Sequence, residues 1–450
     1  LRGLLDHSGQ IFRIPGFWPV DGTSPPLTED MVVCDDFVNA VGRACPRPRQ
    51  GRRSVLHRPR DIPSYRPDIY RTSAIIDPYP HYRALRRLGP LVWLPRHRMV
   101  ALPRYAECKA TLRADDVYLS GHGVAVNAVA NGLSRGTTLN SDGVDHERRR
   151  KLVAHRLMPR ALRGLAASVD DAARVIVDAA LTKGRIDGVA ELATALPLAV
   201  VPDLVGWPQD QREHLMPWAA ATFDMLGPAN RQAIRAIPRS IQMLRFARKV
   251  VRERSVLPGS MTDELLTAVD DGTLSPDDVP PLIIDYIAPS LDTTISAIST
   301  AIQLFADHPE QWQLLRAKPE LLPNAINEVV RYESPVRAFT RKTARHTSIA
   351  GTDIPAGTRL LVLYASANRD EREWDDPEVF DIRRDAGRHI GFGNGAHACA
   401  GQGLARMETA AILSALLERV ERIEADGAPE WAVNNVIRRL ERLPVTLIPA

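Results

Sequence analysis

Cysteine is scarce in this chain. Four residues in 450, Cys34, Cys45, Cys108 and Cys399, with no CxxC pair among them, cannot build a disulfide framework. That usage fits a reducing cytoplasm. Long apolar runs are missing too, so no membrane span is expected. The N-terminal stretch lacks the apolar core of a secretory signal, and the twin arginine Arg52-Arg53 is not followed by one. Charge of one sign is not in excess. The net charge of +4 implies no nucleic-acid partner, while leaving room for a local basic face toward an acidic protein. No repeat with a period of 20–50 residues and no flavin or nicotinamide fingerprint occurs.

What is present is an ordinary globular composition, 44% hydrophobic and 25% charged, with ample material for a core. Residues 1–61 stand apart. The segment CPRPRQGRRSVLHRPR, at 45–60, is rich in Arg and Pro and has neither acid nor period, and it reads as a disordered or loosely attached extension. Residues 62–450 form the expected domain, with firm order starting near DPYPHYRALRRLGPLVWLP at 77–95. There an amphipathic helix, a Gly89-Pro90 break and an apolar strand follow one another. A second strand and helix come next. The chain is then mainly helical from about 145 to 330, strand-like at 334–365, helical after Cys399 and extended at LPVTLIPA. The fold class is mainly α with a smaller β-rich portion.

Cys399 sits in HIGFGNGAHACAGQGLAR, at 389–406, among glycines and directly before strong helix formers. Glycines let a bulky planar group approach the backbone closely. Free amides and the positive end of a helix dipole favour thiolate over thiol, and a thiolate suits a soft metal centre. A lone cysteine is more often an inert core residue, but here the surrounding pattern outweighs that prior. Phe392, Gly393, Gly395, His397, Cys399 and Gly401, followed by Leu404-Ala405-Arg406, resemble at fixed spacing the haem-binding signature of the cytochrome P450 family. The resemblance implies the cytochrome P450 fold, haem b as cofactor, Cys399 as the iron ligand, and Phe392, Gly393 and Gly401 in the cofactor's cradle.

Separate motifs carry the same resemblance. Glu328 and Arg331 in NEVVRYESP share one helix face and match the family's ExxR element. Arg384 is expected as the third member of that brace, with Arg383 as the near alternative. In YIAPSLDTTISAI, Asp292, Thr293 and Thr294 interrupt an apolar helix and are costly to bury without a role. The family has an acid–alcohol pair there, in which Thr293 would hydrogen-bond dioxygen and Asp292 would relay protons. Pro289 and Ser290 depart from the family's Ala-Gly, and the proline removes one helical hydrogen bond. The cofactor's two carboxylates call for converging donors. The resemblance assigns these to His146 and Arg150 in DHERRR, Arg341 in FTRKTA and His389 in RHIGF.

The activity implied is monooxygenation of a small hydrophobic, by preference aromatic, substrate by O2, with electrons from a separate ferredoxin and its reductase. Arg148, Arg149, Arg156 and Arg160 are the candidates for a basic docking face. A monomer is expected. The nearest resemblance is to the branch that oxidises para-substituted benzoates. Where that branch holds the carboxylate, this chain has His122, Asp285 and Ala288, and an aspartate repels a carboxylate. Benzoate specificity is therefore not carried over. Phe223, Leu226, Val336, Ala338 and Phe339 are expected to line an apolar pocket for a small aromatic or terpene-like molecule, neutral or basic. Two alternatives are a peroxide-driven peroxygenase, whose members lack the acid–alcohol pair, and a ligand-binding haem sensor without turnover.

Overall fold

The computed structural model describes Pro59 and residues 61–450. The expected N-terminal extension, apart from Pro59 and Asp61, lies outside the described residues. Order sets in earlier than 77. Tyr65 donates its amide to the Trp93 carbonyl at 2.9 Å, and Trp93 returns a bond to Pro63 at 2.8 Å, so this stretch is stitched to a sheet edge.

Helix α1 (Tyr79–Leu88) ends at Gly89, whose φ of +155° lets the chain turn into strand β1 (Val92–Leu94). β2 (Met99–Leu102), α2 (Tyr105–Arg113) and β3 (Tyr118–Leu119) follow. With β4 (Phe339–Thr343) and β5 (Arg359–Val362) they make a five-stranded sheet in the order β1-β2-β5-β4-β3. It is antiparallel except between β2 and β5. The helical part holds α3 (Gly143–Ala154), α4 (Ala166–Lys183), α5 (Leu215–Leu226), α6 (Arg231–Glu253), α7 (Val279–Asp307), α8 (Leu322–Tyr332) and α9 (Gln402–Arg419). The chain closes through β6 (Val420–Ala425), β7 (Leu440–Arg442) and β8 (Pro444–Pro449). No described helix is long and apolar enough to cross a membrane.

α7 is the spine. Twenty of its 29 residues are buried, the signature of a helix enclosed on all sides. Its first half, with Ile283, Ile287 and Leu291, packs into one apolar cluster. Its second half, with Ile295, Ile298 and Ile302, enters another that includes Ile412 and Leu416 of α9. Burying apolar surface at roughly 25 cal/mol per Å² makes these contacts the main support of the helix. They also fix α7 across the chain from the cysteine loop.

Candidate active site

The loop before α9 is shaped by backbone that only glycine adopts easily. Gly393 and Gly395 have φ of +74° and +72°, and a Cβ on Gly395 would run into the Leu112 carbonyl. The Cys399 amide donates to the Phe392 carbonyl at 2.8 Å and closes the loop. The cysteine is open to a cavity also lined by Gly391, Phe392, Gly393 and Gly401. Burial pushes its thiol upward. The amides of Gly401 and Gln402 and the cations of Arg150 and Arg406 act in the opposite sense, toward thiolate.

Behind the loop stands the brace. Glu328 and Arg331, both fully buried, are joined by two hydrogen bonds of 2.6 and 2.8 Å. Arg331 also donates to the carbonyls of Asn368, Pro377 and Val379. Arg384 reaches Glu328 at 3.3 Å and the carbonyls of Asp375 and Asp376. Arg383 pairs only with Asp381, on the surface, so Arg384 is the third member. The network fastens the chain leading into the cysteine loop to α8.

Of the four residues expected at the cofactor's carboxylates, the structure brings three to the cavity: His146, Arg150 and Arg341. His389 is not among them. It is buried behind the loop, accepts the Gly391 amide on Nδ1 at 3.0 Å and lies against Phe392. Its place is taken by His397, whose ring lies 4.0 Å from that of His146. Nε2 of both rings is buried without a hydrogen-bond partner, and the Asp142 carboxylate lies 4.0 Å from that of His397. Two orphaned imidazole nitrogens beside two guanidinium groups, one of them donating to the Ala398 carbonyl, form a site for anionic oxygens. With the cysteine and the glycine-lined face, the residues present fit a haem. His397 stood inside the quoted motif, and its position two residues before Cys399 was the signal that could have found it.

On the opposite wall, Thr293 donates its hydroxyl to the Pro289 carbonyl at 2.7 Å. α7 runs through Pro289 without a break. Asp292 does not line the cavity. It is fully buried and faces Arg439, just before β7, at 2.8 Å, a charge contact too poorly aligned to count as a hydrogen bond. Burial raises its carboxyl to about 6, with Arg439 opposing and Glu441 adding to the rise. Arg439 in turn pairs with the exposed Glu441 at 3.0 Å. Sequence reasoning gave no sign of Arg439, which lies far along the chain in a segment without a motif.

Of the expected pocket residues, Phe223, Asp285, Val336 and Phe339 line the cavity. Four do not. His122 is exposed, and Leu226 packs with Ala125, Ala130 and Val436. Ala288 lies in the core around α7, and Ala338 is half-buried against the cluster around α1 and the sheet. Thr138, Tyr286 and Ser290 join the lining instead.

A thiolate loop braced by a buried Glu–Arg pair, under a helix carrying a threonine at a cavity wall, defines a haem-thiolate protein. The family model for Cytochrome P450 matches residues 225–431. The chain is 36% identical over 393 residues to cytochrome P450 CYP199A2 of Rhodopseudomonas palustris, covering 86% of this chain and 95% of that one. It is 30% identical to a steroid C26-monooxygenase of Rhodococcus jostii, covering 81% and 80%. Among solved structures, cytochrome P450 CYP268A2 of Mycobacterium marinum in complex with pseudoionone superposes with a TM-score of 0.75 at 30% identity, covering 82% of this chain and 94% of that one. The chain belongs to the cytochrome P450 family and is a haem-dependent monooxygenase.

Proposed function

We propose that the chain oxidises a small hydrophobic, by preference aromatic, substrate with O2 and electrons from a separate ferredoxin. The observation that carries the substrate class is the cavity wall of Phe223, Val336 and Phe339, which lines the same cavity as Cys399 and Thr293. Apolar walls with a few placed polar groups are the usual form of a small-molecule site. When bound, haem supplies a thiolate-ligated iron at which dioxygen is split. The chain's own residues hold the cofactor's carboxylates, exclude water and move protons.

Support for an acidic protein donor comes from exposed Arg148, Lys151 and Arg160, on and just beyond α3. Two of the four arginines expected there are engaged within the chain. Arg149 binds Asp278 at 3.1 Å and Arg156 binds Glu264 at 2.7 Å. Turnover with a surrogate ferredoxin and its reductase tests the reading. Spin-state titrations with neutral aromatics, aromatic acids and terpenoids should single out the first group. Preference for terpenoids or aromatic acids, or product formed with peroxide as well as with ferredoxin, would overturn it.

Thr293, at the cavity wall, would hold a proton donor there. Thr293→Ala should leave haem content unchanged while sending most electrons to peroxide, read as the ratio of product to NADH consumed. Unchanged coupling would remove Thr293 from that role. Asp292 can donate only when protonated, so a carboxyl near 6 loses its donor form as pH rises above that value. Arg439 holds the carboxyl down, and Arg439→Gln should raise it further. The alkaline decline of turnover should therefore move to higher pH. An unmoved or lowered midpoint would exclude proton delivery through Asp292.

A further inference from the structure

We infer that Asp285, Thr138 and Tyr286 form a recognition site for a cationic group carried on the substrate's apolar body. The inference rests on the reading of this cavity as the substrate site. Asp285, Pro289 and Thr293 follow one another at intervals of four and share one face of α7, the face that lines the cavity. The carboxylate thus stands about 12 Å along the helix axis from the threonine. A substrate anchored at one point would present a carbon at a set distance to the other.

Three observations point to a cation. First, among the described residues, the hydrogen bonds to the Asp285 carboxylate come from neutral amides, Thr138 at 2.6 Å and Leu139 at 3.4 Å, and both fall on Oδ2. Second, the nearby arginines are committed elsewhere. Arg149 binds Asp278 and the Gly136 carbonyl, and Arg150 binds the Ala398 carbonyl. Third, the Thr138 hydroxyl is buried in the same corner without a hydrogen-bond partner. It is near enough to stabilise the carboxylate but lacks the alignment of a bond. Burial raises the Asp285 carboxyl to about 6, with the two amides and, at a distance, the charge of Arg149 opposing. A buried carboxylate with no cation bonded to it is costly, and a cationic ligand would lower that cost. The aromatic ring of Tyr286 beside it adds a favourable surface for a cation.

The test uses the haem-loaded protein and three probes of one shape: (4-ethylbenzyl)trimethylammonium, its uncharged carbon isostere 1-ethyl-4-neopentylbenzene, and 4-ethylphenylacetate. A quaternary nitrogen cannot ligate iron, which separates recognition from direct coordination. Calorimetric titration should rank cation over neutral by at least tenfold, with the carboxylate weakest. Asp285→Asn keeps an acceptor for both amides and should erase the cation's advantage without weakening the neutral probe. Equal binding of cation and neutral probe, or an advantage that survives in Asp285→Asn, overturns the inference alone. Should the variant lose haem, the ranking in the unaltered protein decides. Failure of all three probes to bind would bring down the reading of the cavity with it.

Discussion

Replacing Cys399 with alanine should abolish turnover and the red-shifted carbon monoxide band that thiolate-ligated haem gives. No second thiol among the described residues can take over. Cys108 is fully buried and donates to the Leu102 carbonyl at 3.0 Å, and burial drives its thiol far up, away from thiolate. The cavity keeps nitrogen donors, His146 and His397, together with Arg150 and Arg341. Haem should therefore still associate with the variant, more weakly and without the shifted band. Only the electronic contribution of sulfur would be missing, and with it the chemistry that needs an electron-rich ligand. A variant retaining both the band and product formation would refute the ligand assignment.

Removing one partner of the Glu328–Arg331 pair should have the largest effect on folding. Both side chains are fully buried, so Arg331→Ala leaves the Glu328 carboxylate in the core with only the 3.3 Å contact to Arg384 and the Asp381 amide to balance it. Such a loss costs roughly 3–5 kcal/mol. The backbone carbonyls of Asn368 and Pro377 would lose the Arg331 donor as well, and that of Val379 would keep only Arg384. The expected result is protein that purifies largely without haem and unfolds at a much lower temperature. Arg384→Ala should do less, because its contact with Glu328 is longer, at 3.3 Å, and its other partners lie nearer the surface. Equal melting temperatures for Arg331→Ala and the unaltered protein would show that the pair does not hold the loop.

The architecture was legible wherever a local rule governed it. The Gly89-Pro90 break falls between α1 and β1 as expected. The cysteine loop and its brace were legible because both are fixed-spacing motifs, each held by short-range geometry. The polar partners of the cofactor were only partly so. His389 and His397 lie in one irregular loop, and no period says which ring turns toward the cavity. Asp292 shows a limit of local rules. Neighbours on a helix point about 100° apart, so a threonine at the cavity does not bring the preceding acid with it. Asp292 is turned away from the cavity and finds Arg439. That partner lies just before β7, 147 positions later by the residue numbers, a distance no sequence period spans. The pocket expectations failed for a related reason. Leu226 and Ala288 are apolar residues on largely buried helices, and such residues serve core and cavity alike.

X-ray absorption at the iron edge of the purified, haem-loaded protein tests the central claim most directly, since it reports the atom bound to the metal. A sulfur neighbour, lost in Cys399→Ala, is the result the structure requires. A first shell of nitrogen and oxygen alone in the unaltered protein would contradict it.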